Sequence, residues 1–249
     1  MLLSAFLVGL VALLGRAETR FGMQLFIEEP LVMCSLTGLV LGDLKTGLAI
    51  GATLQLVFLG NMGIGASTPA DQVLGSVLAT AIAILSGAGL EVAIALAVPV
   101  AALGQALVIL VRTTFNVFFL RKAVAYADVG DTKGIDTMHV SAGVVYVILT
   151  AFLPAFIAVL AGVPAVQALL GAIPEVILSG LRAGAKLLPA LGFAVLFIQM
   201  QGKNSWVYFM LGFLVVAYFG IDTVGIAALA VCIALIINSI HEKIDATAS

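Results

Sequence analysis

The sequence predicts an all-α, polytopic helical membrane protein, and three features support this fold class. Of its 249 residues, 63% are hydrophobic and only 10% are charged, whereas soluble domains average roughly 45–50% and 25%. The mean hydropathy is +1.25. Uncharged stretches of about 20 residues, the length that crosses a ~30 Å hydrocarbon layer, recur along most of the chain. A backbone in lipid must satisfy its own hydrogen bonds, so these stretches are expected to be helices.

The charged residues exclude several classes of function. The formal net charge is -2, from 11 basic and 13 acidic residues. These residues occur singly rather than in a polybasic tract, so no nucleic acid partner is expected. No nucleotide-binding loop, metal-binding motif or catalytic triad can be defended from the residue spacing. We therefore expect no cofactor, no metal ion and no enzymatic activity of the chain by itself.

The uncharged runs give the predicted membrane segments in order. The first, 1–15, has no basic leader region, so we expect a retained membrane segment rather than a cleaved signal. The run 31–42 is short for a full crossing, and 137–174 is too long for one helix and contains three prolines. Discontinuous or re-entrant helices are therefore expected. The prolines are Pro154, Pro164 and Pro174, and the other runs are 46–70, 72–90, 92–111, 187–202, 204–221 and 223–241.

The most polar connector is 112–136, with four basic and three acidic residues. It is the best cytoplasmic candidate under the positive-inside rule. Because no other long hydrophilic stretch is found, residues 1–249 are predicted to form a single membrane-embedded domain. The two halves of the chain are weakly similar in sequence. Gly42 lies 178 positions before Gly220, and flanking residues repeat at the same spacing. This spacing is consistent with a weak inverted repeat.

Four glycines near the start of the chain are spaced four, five and four residues apart. In a helix, such spacing leaves a groove in which another backbone can approach closely. These glycines are Gly38, Gly42, Gly47 and Gly51.

A glycine-rich, mildly polar stretch, 60–71, predicts a break at membrane depth. Gln55 precedes the break, Asn61 lies within it and Asp71 closes it. Polar side chains at such depth normally face a partner or a cavity, so a substrate site is one interpretation. The other is that Asp71 caps a helix that starts near Val73. The two roles are compatible.

A second polar cluster precedes Pro30, close to a membrane boundary. Its amide and carboxylate groups either bind the hydroxyl groups of a sugar or lie in water. A polar, uncharged solute such as a sugar suits this chemistry, because each hydroxyl needs both a donor and an acceptor. The candidate substrate-binding residues of both clusters are Gln24, Glu28, Gln55, Asn61 and Asp71.

Several short motifs resemble one family. They are Glu29-Pro30-Leu31 through Gly42-Asp43-Leu44-Lys45-Thr46-Gly47, Gly51-Ala52-Thr53-Leu54-Gln55, Leu59-Gly60, Ile64-Gly65-Ala66 with Asp71, Gly104-Gln105 with Val111-Arg112-Thr113, His139-Val140-Ser141 and Ala172-Ile173-Pro174-Glu175-Val176. Together they extend over almost the whole chain. The sequence is similar to the IIC subunit of mannose/fructose/sorbose-type phosphotransferase systems.

This resemblance implies a multi-pass sugar permease of the bacterial inner membrane. It implies an oligomeric complex with a IID membrane subunit, and soluble IIA and IIB subunits that relay phosphate from phosphoenolpyruvate to the incoming sugar. The chain itself would then move the sugar without being an enzyme. Mannose, fructose, sorbose and amino sugars all remain open as substrates. The alternative function is a non-transporting scaffold that docks the transport partners.

Overall fold

The computed structural model describes residues 1–22, 24–61, 69–172, 176, 180, 183–200, 202 and 205–248. The chain forms two compact units, 1–197 and 198–249. The single membrane domain over 1–249 stays a prediction.

The described residues form α-helices and no β-strand, which confirms the all-α fold class. The helices are α1 (Leu2–Phe21), α2 (Pro30–Leu41), α3 (Leu44–Val57), α4 (Gln72–Ser86), α5 (Leu90–Asp128), α6 (Thr132–Val147), a π-helical turn (Ile148–Phe152), α7 (Leu153–Ala172), α8 (Leu188–Met200), α9 (Ser205–Phe219) and α10 (Thr223–Ala248). Four described segments are long and apolar enough to cross a membrane: Leu2–Phe21, Leu90–Asp128, Thr132–Gly162 and Ala183–Met200.

Helices α2 and α3 form a tight hairpin that confirms the prediction of discontinuous helices. They have 12 and 14 residues, about 18 and 21 Å at 1.5 Å per residue, which is short of the ~30 Å hydrocarbon layer. Gly38 of α2 faces Gly47 of α3, and a Cβ atom on either would lie 2.9 Å from the Cα atom of the other. Gly42 is instead the turn, with φ +84°. The four glycines therefore lie on two facing helices and their turn, not on one helix.

Helix α4 lies at the centre of the first unit. Every residue from Val73 to Ala83 is buried, and the helix packs against α1, α2, α3, α5 and α7. Close approach of α5 requires a glycine at position 75, where a Cβ atom would lie 2.9 Å from the side chain of Ala101. Because α4 is enclosed on several sides, its N-terminus is also inside the protein, and Asp71 is only 3% exposed.

The polar connector predicted at 112–136 is mostly helical, which corrects the sequence interpretation. Helix α5 continues through it to Asp128, and α6 begins at Thr132 after a turn at Gly130. No glycine or proline occurs between 112 and 128 to stop the helix. At 39 residues, α5 is about 58 Å long and exceeds the hydrocarbon thickness. The cytoplasmic location of this segment stays a prediction.

The prolines of the 137–174 run do not break it where the sequence suggested. The helical path continues from α6 through the π-helical turn into α7, with Pro164 inside α7. Pro154 lies just after the π-helical turn. Proline has no backbone N–H group to donate, and the wider π-helical turn lies directly before it. Membrane helices tolerate such prolines when the local geometry adjusts. Pro174 lies outside the described residues.

The weak internal repeat extends to local turn geometry. Gly42 and Gly220 both follow a helix and both have positive φ angles, +84° and +64°. Soon after each glycine, an aspartate caps the next helix. The carboxylates of Asp43 and Asp222 accept the backbone N–H three residues further on, at 3.1 and 2.8 Å. Both glycines thus lie at helix–turn–helix junctions with an aspartate cap, which follows Gly42 by one residue and Gly220 by two.

Candidate functional site

A polar cavity of about 300 Å³ lies between α1, the segment before α4, and α5. Ligand pockets range from roughly 300 to 1,000 Å³, so the space suits a small solute. Its polar lining residues are Arg16, Thr19, Arg20, Glu28, Asn61, Asp71, Gln72, Gln105 and Arg112. Three of the five residues predicted from sequence, Glu28, Asn61 and Asp71, thus lie on one cavity.

The innermost wall of the cavity is a buried ion pair. Arg16 Nη2 of α1 donates to Asp71 Oδ2, and both residues are buried. Asp71 Oδ1 also accepts the backbone N–H of Leu74 at 3.2 Å, which confirms the predicted helix cap. Arg16 Nε is buried without a hydrogen-bond partner in the described part of the chain. A buried donor of this kind is costly unless a ligand or water satisfies it.

Backbone and amide contacts hold the segment before α4 against its neighbours. Asn61 Nδ2 donates to Ala70 O at 2.8 Å and to Gln72 Oε1 at 3.3 Å. The Asp71 N–H donates to Ala101 O of α5 at 3.0 Å. These bonds link Asn61 at the end of the α3 segment to residues 70 and 72, and they link Asp71 to α5. Together they fix the position of the Asp71 carboxylate.

Several polar groups of the cavity have no partner among the described residues. Glu28 Oε2 accepts from Thr19 Oγ1 at 2.7 Å, which leaves its second oxygen as an acceptor. Asn61 Oδ1 is a second acceptor and Gln72 Nε2 is a donor, since their other atoms bond each other. The Gln105 amide supplies both a donor and an acceptor. Residues with donors and residues with acceptors therefore line one small space.

Gln24 and Gln55 do not line this cavity. Gln24 is exposed and has a φ angle of +54°. Gln55 Oε1 accepts the Leu31 N–H at 3.1 Å, and Gln55 Nε2 donates to Glu29 Oε2 at 2.7 Å. Gln55 thus joins α3 to the start of α2. A direct role of these two residues in substrate binding stays a prediction.

The contacts of Gln55 give a testable expectation for the hairpin. Gln55→Leu removes the partners of the Leu31 N–H and the Glu29 carboxylate, so we expect a loss of about 1–3 kcal/mol in the free energy of unfolding. Chemical denaturation in detergent measures this loss. Thr53→Val is the control, because the exposed Thr53 hydroxyl bonds only Ala49 O of its own helix. Equal stability of the two variants would contradict the bridging role of Gln55.

Sequence reasoning missed the other six polar lining residues, which are Arg16, Thr19, Arg20, Gln72, Gln105 and Arg112. A signal for Arg16 was present, because an ionisable residue at the end of an apolar segment marks a candidate functional position. Gln105 lay in one of the family motifs but carried no spacing pattern of its own. In the described part of the chain, no three His, Cys, Asp or Glu residues come together as a metal site.

The fold and the cavity define a class, namely a polytopic helical membrane protein with a polar cavity between its helices. The family model described as "PTS system sorbose-specific iic component" matches residues 2–236. The chain is 40% identical over 243 residues to the fructose permease IIC component of Bacillus subtilis (strain 168), covering 98% of this chain and 87% of the relative.

Two solved structures are also similar. One, titled "Structure of membrane protein", is 34% identical, has a TM-score of 0.85 and covers 95% of both chains. The other, from the complex of the mannose transporter ManYZ with microcin E492, is 34% identical, has a TM-score of 0.61 and covers 96% of both chains.

The chain therefore belongs to the sorbose-specific IIC component family of the phosphotransferase system. It is an integral component of the bacterial inner membrane and a permease component rather than a catalyst. Membership in this family also places it in a phosphotransferase complex with other subunits.

Proposed function

We propose that this chain is the sugar-translocating membrane subunit of a phosphoenolpyruvate-dependent phosphotransferase system of the mannose family. It binds a hexose or a hexose derivative in the cavity between α1, α4 and α5 and moves it inward. The observation that supports this proposal is the set of polar groups without partners around a space of about 300 Å³. The family relationship supports transport of a sugar, and similarity to both a fructose permease and a mannose transporter leaves the sugar open.

The chemistry of the lining fits a neutral polyol. A sugar hydroxyl donates one hydrogen and accepts others, so its site needs both kinds of partner. Glu28 and Asn61 offer acceptors, Arg16 and Gln72 offer donors, and Gln105 offers both. The Arg16 and Asp71 charges offset each other, so the innermost wall does not demand a charged substrate.

The phosphoryl chemistry belongs to the partners in this proposal. IIA and IIB subunits relay phosphate from phosphoenolpyruvate to the sugar, and a IID subunit completes the membrane complex. A scaffold that only docks these partners is less well supported. Such a scaffold gives no reason for the buried Arg16 Nε, which has no hydrogen-bond partner in the described part of the chain and costs about 1–3 kcal/mol if it stays unsatisfied.

Sugar-phosphate accumulation in membrane vesicles tests the proposal. The vesicles contain IIA, IIB and IID, with or without this chain, and are energised with phosphoenolpyruvate in the presence of mannose, fructose, sorbose or an amino sugar. We expect accumulation that requires the chain, and the preferred sugar identifies the substrate. Equal accumulation without the chain, after its insertion and assembly are verified, would favour the scaffold.

Gln105 provides a direct test of the cavity as the sugar site. Gln105→Leu removes a donor and an acceptor that have no protein partner, so we expect the apparent affinity for sugar to fall about ten-fold or more, with little effect on folding. Thr114→Val on the same helix is the control, because the Thr114 hydroxyl bonds only Leu110 O of its own helix. Uptake assays over a range of sugar concentrations measure both. Equal apparent affinities would contradict the assignment of the cavity.

A further inference from the structure

A second, smaller cavity of about 210 Å³ adjoins the first between α1, α5 and α6. Arg20 and Arg112 border both cavities. Tyr146, Asn116 and His139 line the second one. None of these five residues is needed to explain binding of a neutral sugar.

The two arginines converge on one phenol oxygen. Arg20 Nη2 donates to Tyr146 Oη at 3.2 Å, and Arg112 Nη2 donates to the same oxygen at 3.4 Å. Their guanidinium carbon atoms lie 4.8 and 5.8 Å from the centre of the Tyr146 ring. Tyr146 is only 3% exposed, so it gives both guanidinium groups a fixed support.

Neither Arg20 nor Arg112 has a direct ion-pair partner in the part of the chain that the structure describes. The ion pair found there joins Arg16 to Asp71, and Glu28 borders the first cavity without pairing with either arginine. Two guanidinium groups that share a neutral acceptor repel each other, and an anion between them removes that repulsion. Their planar forks match phosphate oxygens in geometry.

We propose that Arg20 and Arg112, supported by Tyr146, form a subsite for a phosphate monoester, namely the phosphorylated form of the sugar carried by the main cavity. This inference rests on the proposed function. Because both arginines border both cavities, the sugar part of such a ligand reaches the polar lining of the first while its phosphate lies at the second. Asn116 and His139 add polar contacts at the wall of the second cavity.

The charge of the ligand favours a monoester over a lipid headgroup. A phosphate monoester carries about -1.5 to -2 charges at neutral pH, which matches two guanidinium groups. A phosphodiester headgroup carries one charge and brings acyl chains. The subsite therefore suits a soluble sugar phosphate better than an anionic lipid.

Equilibrium binding to the full-length chain in nanodiscs of zwitterionic lipid tests the proposal. The probes are inorganic phosphate, mannose 6-phosphate, fructose 6-phosphate and the two free sugars. We expect Arg20→Gln and Arg112→Gln each to weaken phosphate and sugar-phosphate binding by roughly ten-fold or more, and by more than they weaken free-sugar binding. Arg121→Gln is the matched control, because Arg121 is exposed on α5 and borders neither cavity.

The salt dependence of binding to the unmodified protein tests the same proposal without variants. Raising the salt concentration should weaken sugar-phosphate binding and leave free-sugar binding nearly constant, because salt screens charge interactions at exposed sites. Phosphate binding that is insensitive to both arginines would overturn the proposal. The proposal would also fail if the purified protein bound no soluble phosphate but carried phosphatidylglycerol from the cell membrane that the two arginine variants lack. If the unmodified chain bound no free sugar, that result would instead contradict the proposed function.

Discussion

Replacement of Arg16 by Met is expected to destabilise the protein by roughly 3–5 kcal/mol, because it leaves the Asp71 carboxylate buried without its cation. The side chains of this pair are 11% and 0% exposed, so the carboxylate has little access to water that could replace the lost partner. Chemical denaturation in detergent micelles measures the loss. Arg121→Met, at an exposed position of α5, is the matched control and should change the free energy of unfolding by less than about 0.5 kcal/mol.

The same substitution is expected to abolish sugar uptake. Arg16 is fixed by Asp71 and contributes a buried donor to the cavity, so both its charge and its position matter there. Asp71→Asn keeps an oxygen that can cap α4 at Leu74 but removes the negative charge. It should also stop uptake, while its loss of stability is smaller than that of a substitution that removes the cap as well.

The double variant Arg16→Met with Asp71→Asn measures how much the two side chains stabilise each other. It leaves no uncompensated charge, so its loss of stability should be clearly smaller than the sum of the two single losses. An additive result would mean that the two side chains do not stabilise each other. Normal uptake by either single variant would contradict their location at the sugar site.

Much of the fold was predictable because lipid restricts the possible structures. Uncharged runs had to be helices, and the short run 31–42 could not cross, so a discontinuous helix there followed from length, whereas its pairing with α3 in a hairpin did not. The cap at Asp71 was predictable because aspartate before an apolar run is a local signal. These inferences need only residues that are close together in the sequence.

The candidate site was only partly predictable because it depends on contacts between distant segments. Arg16 and Asp71 are 55 positions apart, and nothing in either segment indicates that α1 packs against the start of α4. Gln55 is a further example. Its position just before the break suggested a substrate-binding residue, whereas in the structure its amide contacts Glu29 and Leu31, so its role in binding stays a prediction. Helix rotation is set by packing and cannot be read from one segment.

The hairpin of α2 and α3 gives the second large effect, since Gly47→Ala is expected to destabilise the protein by roughly 1–3 kcal/mol or more. A Cβ atom at position 47 would lie 2.5 Å from Cys34 O and 2.9 Å from the Cα atom of Gly38. Both contacts are with backbone atoms, so no side-chain rotation relieves them and the two helices must separate. Gly47→Val should increase the separation and prevent assembly of the folded protein.

Gly162→Ala is the matched control, because it makes the same chemical change at a helix position where no atom of the described residues lies within 4 Å of the added methyl group. We expect it to be neutral or to stabilise the protein by up to about 1 kcal/mol, the ordinary advantage of alanine over glycine in a helix. Chemical denaturation of both variants, together with size-exclusion chromatography in detergent, measures the difference. If Gly47→Ala were as stable as Gly162→Ala, α2 and α3 could not be as close as the contact between Gly38 and Gly47 requires. The hairpin would then be too loose to hold Gln55 against the start of α2.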